Sequence, residues 1–246
     1  MSIGVLKFLS TAIRGYISDR RDRRARSPAA YGAAEKGQWV DAALQLRTDG
    51  QRGRILASVI ELVSEMGYER VRLRDVAKHA GVSIGTLQHY YETRDGLMLA
   101  AFAHHTGKIV QGLEEIAGRY AEPWDRIRGL VEYITQPRGF RNRCLAFMEI
   151  AAASARDKEL RRLFGLQYDG WRAPMKAAIE EGVAAGAFRL SSDVDETVDL
   201  ILTQIDGLEI AVATQVAGMT RTRMRDALLR VISVHLGLPP YTPDAS

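Results

Sequence analysis

Residues 67–97 decide the fold of this chain, and they read GYERVRLRDVAKHAGVSIGTLQHYYETRDGL. Within them, residues 73–91 fit two short helices joined by a tight turn. Gly81 stands where a helix end needs a left-handed residue, and Ser83 is a favourable N-cap for the second helix. Before this turn, apolar residues recur at helical spacing: Leu73, Val76, Ala77 and Ala80. The pattern predicts a helix-turn-helix.

The second helix of the pair, residues 84–91, is too short to be stable alone, so its neighbours must hold it. Its outer side offers hydrogen-bonding and aromatic groups, and no acidic residue precedes Glu92. A short helix with such a face suits the major groove of DNA. We therefore expect DNA contacts from the helix and its cap, with Thr86, Gln88 and His89 reading bases. The full set of expected contacts on this segment is Ser83, Gly85, Thr86, Gln88, His89 and Tyr90.

The first helix of the pair begins beside two arginines, Arg72 and Arg74. A cation at this end opposes the helix dipole, and arginine supplies no capping oxygen, although Asp75 offsets part of that cost. A DNA phosphate would reverse the balance, because it pairs with a guanidinium and with free backbone N–H groups together. We expect Arg72 or Arg74 to contact the DNA backbone, as does Arg94 at the start of the next helix.

The same stretch resembles the DNA-binding signature of the TetR family of bacterial repressors. The likeness runs from about residue 52 to residue 97 and keeps a fixed order: Gly-Tyr, Asp-Val-Ala, Gly-Val-Ser, Gly-Thr-Leu, an aromatic pair and a basic-acidic-x-Leu close. Arg72 stands where the family usually has Ser or Thr, Gln88 where Tyr is common, and Arg94 where Lys is common. These departures mean that the resemblance does not indicate which operator sequence is bound, but they leave the fold prediction unchanged.

The resemblance implies a homodimer that binds double-stranded, palindromic operator DNA and responds to a small-molecule effector. In that arrangement the protein is a repressor, and the effector lowers its affinity for DNA. Helix-turn-helix units also occur as structural corners. The alternative is therefore an α-helical structural or adaptor protein whose helix-turn-helix does not read DNA.

Composition and charge indicate how the chain could attract DNA and in which compartment it would work. The chain has 246 residues, 46% of them hydrophobic, which is enough for a buried core. The formal net charge is +4, and residues 51–105 carry seven Lys/Arg against six Asp/Glu, so attraction to phosphates must come from placement rather than bulk charge. Cys144 is the only cysteine, which fits a reducing cytoplasm, and no apolar run is long enough to span a membrane.

The chain as a whole is predicted to be all-α, without an alternating strand pattern. Residues 1–48 form a basic extension that is disordered, is not truly translated, or grips DNA as an arm. Residues 49–96 are the DNA-binding domain, residues 97–238 form a larger ligand-binding and dimerisation domain, and residues 239–246 are a tail.

The larger domain contains a stripe of aromatic and sulfur-containing side chains with a few polar groups, as a small-molecule site would need. The same rings could simply fill the core. The motif DLILTQIDGLEIA, residues 199–211, resembles the C-terminal domain of the BetI-like branch of the family, and the resemblance implies a ligand site here. The expected ligand-binding residues are Trp124, Phe147, Phe164, Tyr168, Trp171, Met175 and Asp206.

The last two helices are apolar on more than one face, which would leave hydrophobic surface on a monomer. Two copies could bury that surface as a four-helix contact about a two-fold axis. The expected interface residues are Ile201, Ile205, Leu208, Val212, Leu228 and Val231.

No nucleophile elbow, phosphate-binding loop or metal-ligand spacing occurs in the sequence. His104 and His105 are adjacent and point to different sides of a helix, and Cys144 lies on an apolar helical face typical of packing. We therefore expect no enzymatic activity, no cofactor and no metal.

Overall fold

The computed structural model describes residues 50–243, and these are helical with no strand among them. The extension of residues 1–48 and the last three residues of the tail lie outside the described residues. Two single-turn 3-10 helices, Tyr68–Arg70 and Val216–Gly218, supplement the α-helices of the described segment. Those helices are α1 Gly50–Met66, α2 Leu73–Ala80, α3 Ile84–Tyr90, α4 Arg94–Ala117, α5 Pro123–Ile134, α6 Phe140–Ser154, α7 Lys158–Ala184, α8 Val194–Thr214 and α9 Arg221–His235.

The described chain divides into two compact units. The first contains residues 50–108 and 149–166, and the second contains residues 109–148 and 167–243. This division differs from the predicted boundary at residue 96, because the start of α4 is buried in the core of the first unit through Leu97, Met98 and Ala101. Residues 149–166 are far away in sequence and yet belong to this unit, which no local pattern could show.

The first unit is built on the apolar side of α1. Ile55 and Val59 are fully buried, Leu62 is nearly so, and Met66 packs at the edge of the same cluster. Val76 and Ala77 of α2 and Leu87 of α3 complete this core. The two short helices are therefore held by α1 and α4 rather than by their own hydrogen bonds alone.

The helix ends of the second unit follow local signals. Pro123 occupies the first turn of α5, where its missing N–H costs nothing. Asp193 caps α8 by accepting a hydrogen bond from the Glu196 N–H at 2.8 Å, and Thr220 caps α9 through the Arg223 N–H at 3.2 Å. A shared core of buried residues from α4 to α9 holds the unit together.

None of the helices between residues 50 and 243 combines the length and the apolar content needed to cross a bilayer.

Candidate nucleic-acid interface and ligand-binding region

The turn between α2 and α3 has the geometry that the sequence predicted. Gly81 adopts a left-handed conformation, φ 67° and ψ 36°, and the Val82 N–H donates to the Ala77 carbonyl at 3.0 Å. Ser83 then caps α3, because its Oγ accepts a hydrogen bond from the Thr86 N–H at 3.0 Å. The orientation of α3 is thus fixed by a backbone hydrogen bond on the α2 side of the turn and by the Ser83 side-chain cap on the α3 side.

The start of α2 carries the two exposed arginines in the predicted place. Arg72 is the N-cap residue, and its own N–H donates to the Asp75 carboxylate at 3.1 Å. The guanidinium cannot accept a hydrogen bond, so only this half of a capping box forms. Arg72 and Arg74 therefore remain exposed at the positive end of the helix, where an anion would be favoured.

The outer face of α3 is formed by Ser83, Gly85, Gln88 and His89, all of which are exposed. Thr86 is half-buried, and its hydroxyl lies 2.8 Å from the Ser83 Oγ, so it also serves the cap. Ile84 is 40% exposed on the same short helix and was not among the predicted contacts. The exposed face carries no acidic, lysine or arginine side chain.

Tyr90 is half-buried rather than fully displayed. The guanidinium carbon of Arg52, from α1, lies 4.5 Å from the centre of the Tyr90 ring. This arrangement brings a cation of α1 to the end of α3. Sequence reasoning missed Arg52, because nothing in the α1 pattern shows which of its polar residues faces α3.

Arg94 makes contacts within the protein that the sequence did not suggest. Its Nε donates to the Val71 carbonyl at 2.7 Å, its Nη2 donates to the Tyr68 carbonyl, and the guanidinium lies over the Tyr68 ring. On the other side, the Tyr68 N–H donates to the Glu149 carboxylate at 2.8 Å. Arg94 and Glu149 thus clamp the segment before α2, while contact between Arg94 and DNA stays a prediction.

The predicted ligand-binding residues are divided between the two units. Phe164 belongs to the first unit, and the other six belong to the second. Met175 is buried in the core of the second unit, and Trp124, Tyr168 and Trp171 pack partly buried against it. The Trp171 Nε1 is buried and donates to no acceptor among the described residues.

Two acidic side chains of α8 are the notable polar groups of the second unit. Burial raises the pKa of Asp206 to about 6. Glu209 is only 8% exposed, and burial, with a smaller contribution from Asp206, raises the pKa of its carboxyl to about 8. Asp206 was predicted, but Glu209 was not. Its spacing of three residues from Asp206, on the same helical face, is the signal that could have found it.

Four of the six predicted dimer-interface residues lie inside their own unit rather than on its surface. Ile201, Ile205, Val212 and Leu228 are at most 4% exposed, because they fill the core of their own unit. Leu208 and Val231 are half-buried. The apolar side chains that α8 and α9 do expose are Leu200, Ile210 and Val234, at 41%, 47% and 57%. The sequence showed two apolar faces on α8, and the prediction chose the one that packs inward.

Two family models match this chain, and both belong to one family. Residues 55–101 match the model of bacterial regulatory proteins of the tetR family, and residues 123–237 match the model of the BetI-type transcriptional repressor C-terminal domain. The first match contains the whole helix-turn-helix. The second contains Asp206 and Glu209.

Individual proteins similar to this chain are also described as transcriptional regulators. The HTH-type transcriptional regulator PksA of Bacillus subtilis (strain 168) is 23% identical over 193 residues, which are 78% of this chain and 91% of PksA. The HTH-type transcriptional repressor KstR of Rhodococcus jostii (strain RHA1) is 34% identical over 86 residues, 35% of this chain and 40% of KstR.

Among solved structures, one described as a transcriptional regulator from Saccharomonospora viridis in complex with choline has a TM-score of 0.67 at 26% identity. It covers 74% of this chain and 94% of its own. A TetR-family regulator from a Rhodococcus species has the same TM-score at 24% identity, covering 76% and 98%, and so supports the fold. The chain belongs to the TetR family of bacterial transcriptional regulators and carries a BetI-type C-terminal domain.

Proposed function

We propose that this protein is a homodimeric transcriptional repressor that binds a palindromic operator and is released from it by a small-molecule effector. The observation that carries the proposal is the exposed, non-acidic face of α3, fixed by the Gly81 turn and the Ser83 cap within the matched family segment. A face of this kind presents donors and acceptors to base edges without repelling the phosphates. Operator binding places its action in the cytoplasm.

The proposed DNA contacts divide into two groups. Gln88 and His89 are exposed on α3 and would read bases in the major groove. Arg72 and Arg74 are exposed at the start of α2 and would hold phosphates, together with the free N–H groups of that helix end. Base readers set sequence preference, and phosphate contacts set affinity for all DNA.

The proposed dimer uses the outward face of α8. Exposed uncharged residues recur there at alternating spacings of three and four, so they form one stripe along the helix. The hydroxyls of Thr203 and Thr214 donate to carbonyls of their own helix, at 2.8 Å and 2.7 Å. Neither hydroxyl therefore needs a water molecule as its hydrogen-bond acceptor, and both can be buried in an interface. Gly207, at the centre, leaves open space for a second helix. We call this set the α8 stripe: Leu200, Thr203, Gly207, Ile210 and Thr214.

A second copy is the partner that this stripe fits best. The stripe has no charge to attract a polar partner, and Val234 of α9 adds a further exposed apolar side chain. An isologous contact between two such faces is self-complementary, so it buries the exposed apolar side chains of both copies at once. Ile210→Glu should give monomers by light scattering, whereas Ala173→Glu, at an exposed site of α7, should not.

The proposed effector binds in the C-terminal, BetI-type domain. A relative with 26% identity was solved in complex with choline, which supports a small-molecule site in this architecture. Trp171 has a buried indole N–H without an acceptor among the described residues, and burial raises the pKa of Asp206 and Glu209. A bound ligand would supply polar partners for these three side chains.

The test of the DNA-binding proposal is fluorescence anisotropy with duplexes from the region upstream of the gene, over a series of salt concentrations. Arg72→Ser should weaken binding to all sequences alike and reduce the salt slope by roughly one. His89→Ala should keep the slope and flatten discrimination between operator and random DNA. If neither variant changes affinity, slope or discrimination, α3 is a structural corner and the adaptor alternative holds.

A further inference from the structure

The turn between α6 and α7 belongs to the unit that carries the helix-turn-helix. Residues 149–166 form one compact body with α1, α2, α3 and the start of α4. The Glu149 carboxylate accepts the Tyr68 N–H at 2.8 Å, and a Cβ added at Gly67 would lie 3.3 Å from the same carboxylate. Burial raises the pKa of the Tyr68 hydroxyl to about 12, with a smaller contribution from the charge of Asp157. The turn therefore packs against the segment that leads into α2.

The acidic side chains of this segment are engaged within the protein. Asp157 caps α7, because its Oδ1 accepts the N–H groups of Glu159 at 2.8 Å and Leu160 at 3.0 Å. The Glu159 carboxylate in turn lies 3.7 Å from the Nε of Arg162. Glu149 holds the segment before α2. Each of the three carboxylates is thus directed to a partner on its own unit.

Three cations of the same segment have no carboxylate partner. Arg156, Lys158 and Arg161 are exposed, and none of them forms an ion pair with a residue that the structure describes. The Arg161 Nη2 donates to the Ala155 carbonyl at 2.7 Å, which anchors the guanidinium and leaves its other N–H groups for an outside acceptor. Residues 149–166 carry four Arg/Lys against three Asp/Glu, so their positive surface comes from placement rather than from net charge.

The place where the turn packs is close to the proposed phosphate contacts of α2. From Tyr68 to Arg72 the chain can extend at most about 14 Å, which is the length of about four phosphate steps along one DNA strand. The connecting segment adds no net charge, since Glu69 and Arg70 are both exposed. A duplex held at Arg72 and Arg74 therefore has further phosphates within a few steps of the turn.

We propose that Arg156, Lys158 and Arg161 contact the DNA backbone beside each half-site and form a second phosphate-binding surface of the same unit. This inference rests on the proposed function and extends its contact surface beyond the helix-turn-helix. The partner is the backbone of a duplex, because guanidinium and ammonium groups donate to phosphate oxygens whatever the base sequence. The surface adds affinity and salt dependence without adding sequence preference.

The experiment compares two lengths of one operator duplex that has been selected from a random pool. The short duplex ends at the inverted repeat, and the long duplex has about 10 further base pairs, one helical turn, on each side. Fluorescence anisotropy over a series of salt concentrations gives the affinity and the salt slope for each duplex. Cleavage by hydroxyl radicals maps the protected backbone. The test variant of the full chain is Arg156→Gln/Lys158→Gln/Arg161→Gln.

Two further variants separate a local contact from overall charge and from folding. The matched control is Arg119→Gln/Arg189→Gln/Arg230→Gln, which makes the same change of charge at exposed sites of the second unit. The conservative variant Arg156→Lys/Arg161→Lys keeps every positive charge of the turn. Affinity for the short duplex reports whether the helix-turn-helix is intact in each variant.

The wild type should bind the long duplex about tenfold or more tightly than the short one, with a steeper salt slope and with protected backbone outside the repeat. The test variant should lose that difference, because each missing phosphate contact reduces the slope by about 0.9, or by up to roughly three per subunit. The control and the conservative variant should behave like the wild type. The proposal is overturned if the wild type binds both duplexes alike, or if the test variant keeps the slope and the outer protection.

The same measurements on random DNA keep this inference distinct from the proposed function. A protein that selects an operator but gains no affinity from the longer duplex retains the repressor and loses the second surface. A protein that selects no sequence, but whose salt slope on random DNA falls in the test variant and not in the control, retains the surface and loses the repressor.

Discussion

Glu209→Gln should stabilise the folded protein, and the gain should grow as the pH rises. Burial raises the pKa of Glu209 to about 8 from its ordinary value of 4.5. The unfolded chain therefore releases this proton near the ordinary value, whereas the folded protein holds it until the pH passes the raised value. Between these two values the unfolded state binds fewer protons, so the free energy of unfolding falls as the pH rises.

The size of this effect follows from the difference between the two pKa values. One pKa unit corresponds to about 1.4 kcal/mol, so ionisation of Glu209 lowers the stability by up to about 5 kcal/mol above pH 8. Glutamine has nearly the same shape and no charge, and it removes this loss. Its two N–H donors carry a cost of their own, but that cost is independent of pH and cancels in a comparison between two pH values.

The assay is urea unfolding of both proteins at about pH 5 and about pH 8, at one protein concentration because a dimer unfolds in a concentration-dependent way. The difference in stability between variant and wild type should be several kcal/mol larger at the higher pH. Asp169→Asn, exposed on α7, should show no such difference. Equal pH dependence in Glu209→Gln and wild type would refute the claim that Glu209 is buried and neutral.

Three further predictions concern packing and capping. Gly112→Ala should cost about 1–3 kcal/mol in unfolding free energy, because its Cβ would overlap the Tyr133 ring. Gly107→Ala, in open space on the same helix, should raise the unfolding free energy by up to about 1 kcal/mol. If urea unfolding shows the same effect for both variants, the close packing of Gly112 against Tyr133 is contradicted. Ser83→Ala should cost about 1 kcal/mol by leaving the α3 cap unmade; an unchanged melting temperature would count against it. Arg94→Ala should speed hydrogen exchange in residues 68–71 through two lost carbonyl contacts, and unchanged exchange would show the guanidinium to be dispensable.

The helix-turn-helix was predictable because its causes are local. Gly81 must be left-handed, Ser83 must cap α3, and both requirements act within a few residues of the chain. The hydrogen-bonding partners of Arg94 were not predictable in this way. Its partners, the carbonyls of Tyr68 and Val71, are set by how α4 packs on the segment before α2, and no spacing in the sequence encodes that packing.

The faces of α8 show the limit of periodicity more clearly. Leu200 and Ile201 are neighbours, and so are Glu209 and Ile210, yet in each pair one residue is buried and the other exposed. A helix with two apolar faces gives no signal for which one meets the core, because that choice depends on the neighbouring helices. The same ambiguity hid Glu209, whose burial places a carboxyl on the inward face.

The measurement that tests the central claim most directly is selection of binding sites from a random duplex pool by the full chain, followed by sequencing. A dimer that reads DNA through α3 should enrich an inverted repeat, with half-site centres about 10 base pairs apart or a multiple of that spacing. His89→Ala should enrich a weaker or altered half-site. A wild-type pool that shows no enriched sequence would contradict the assignment of α3 as a reader of DNA bases.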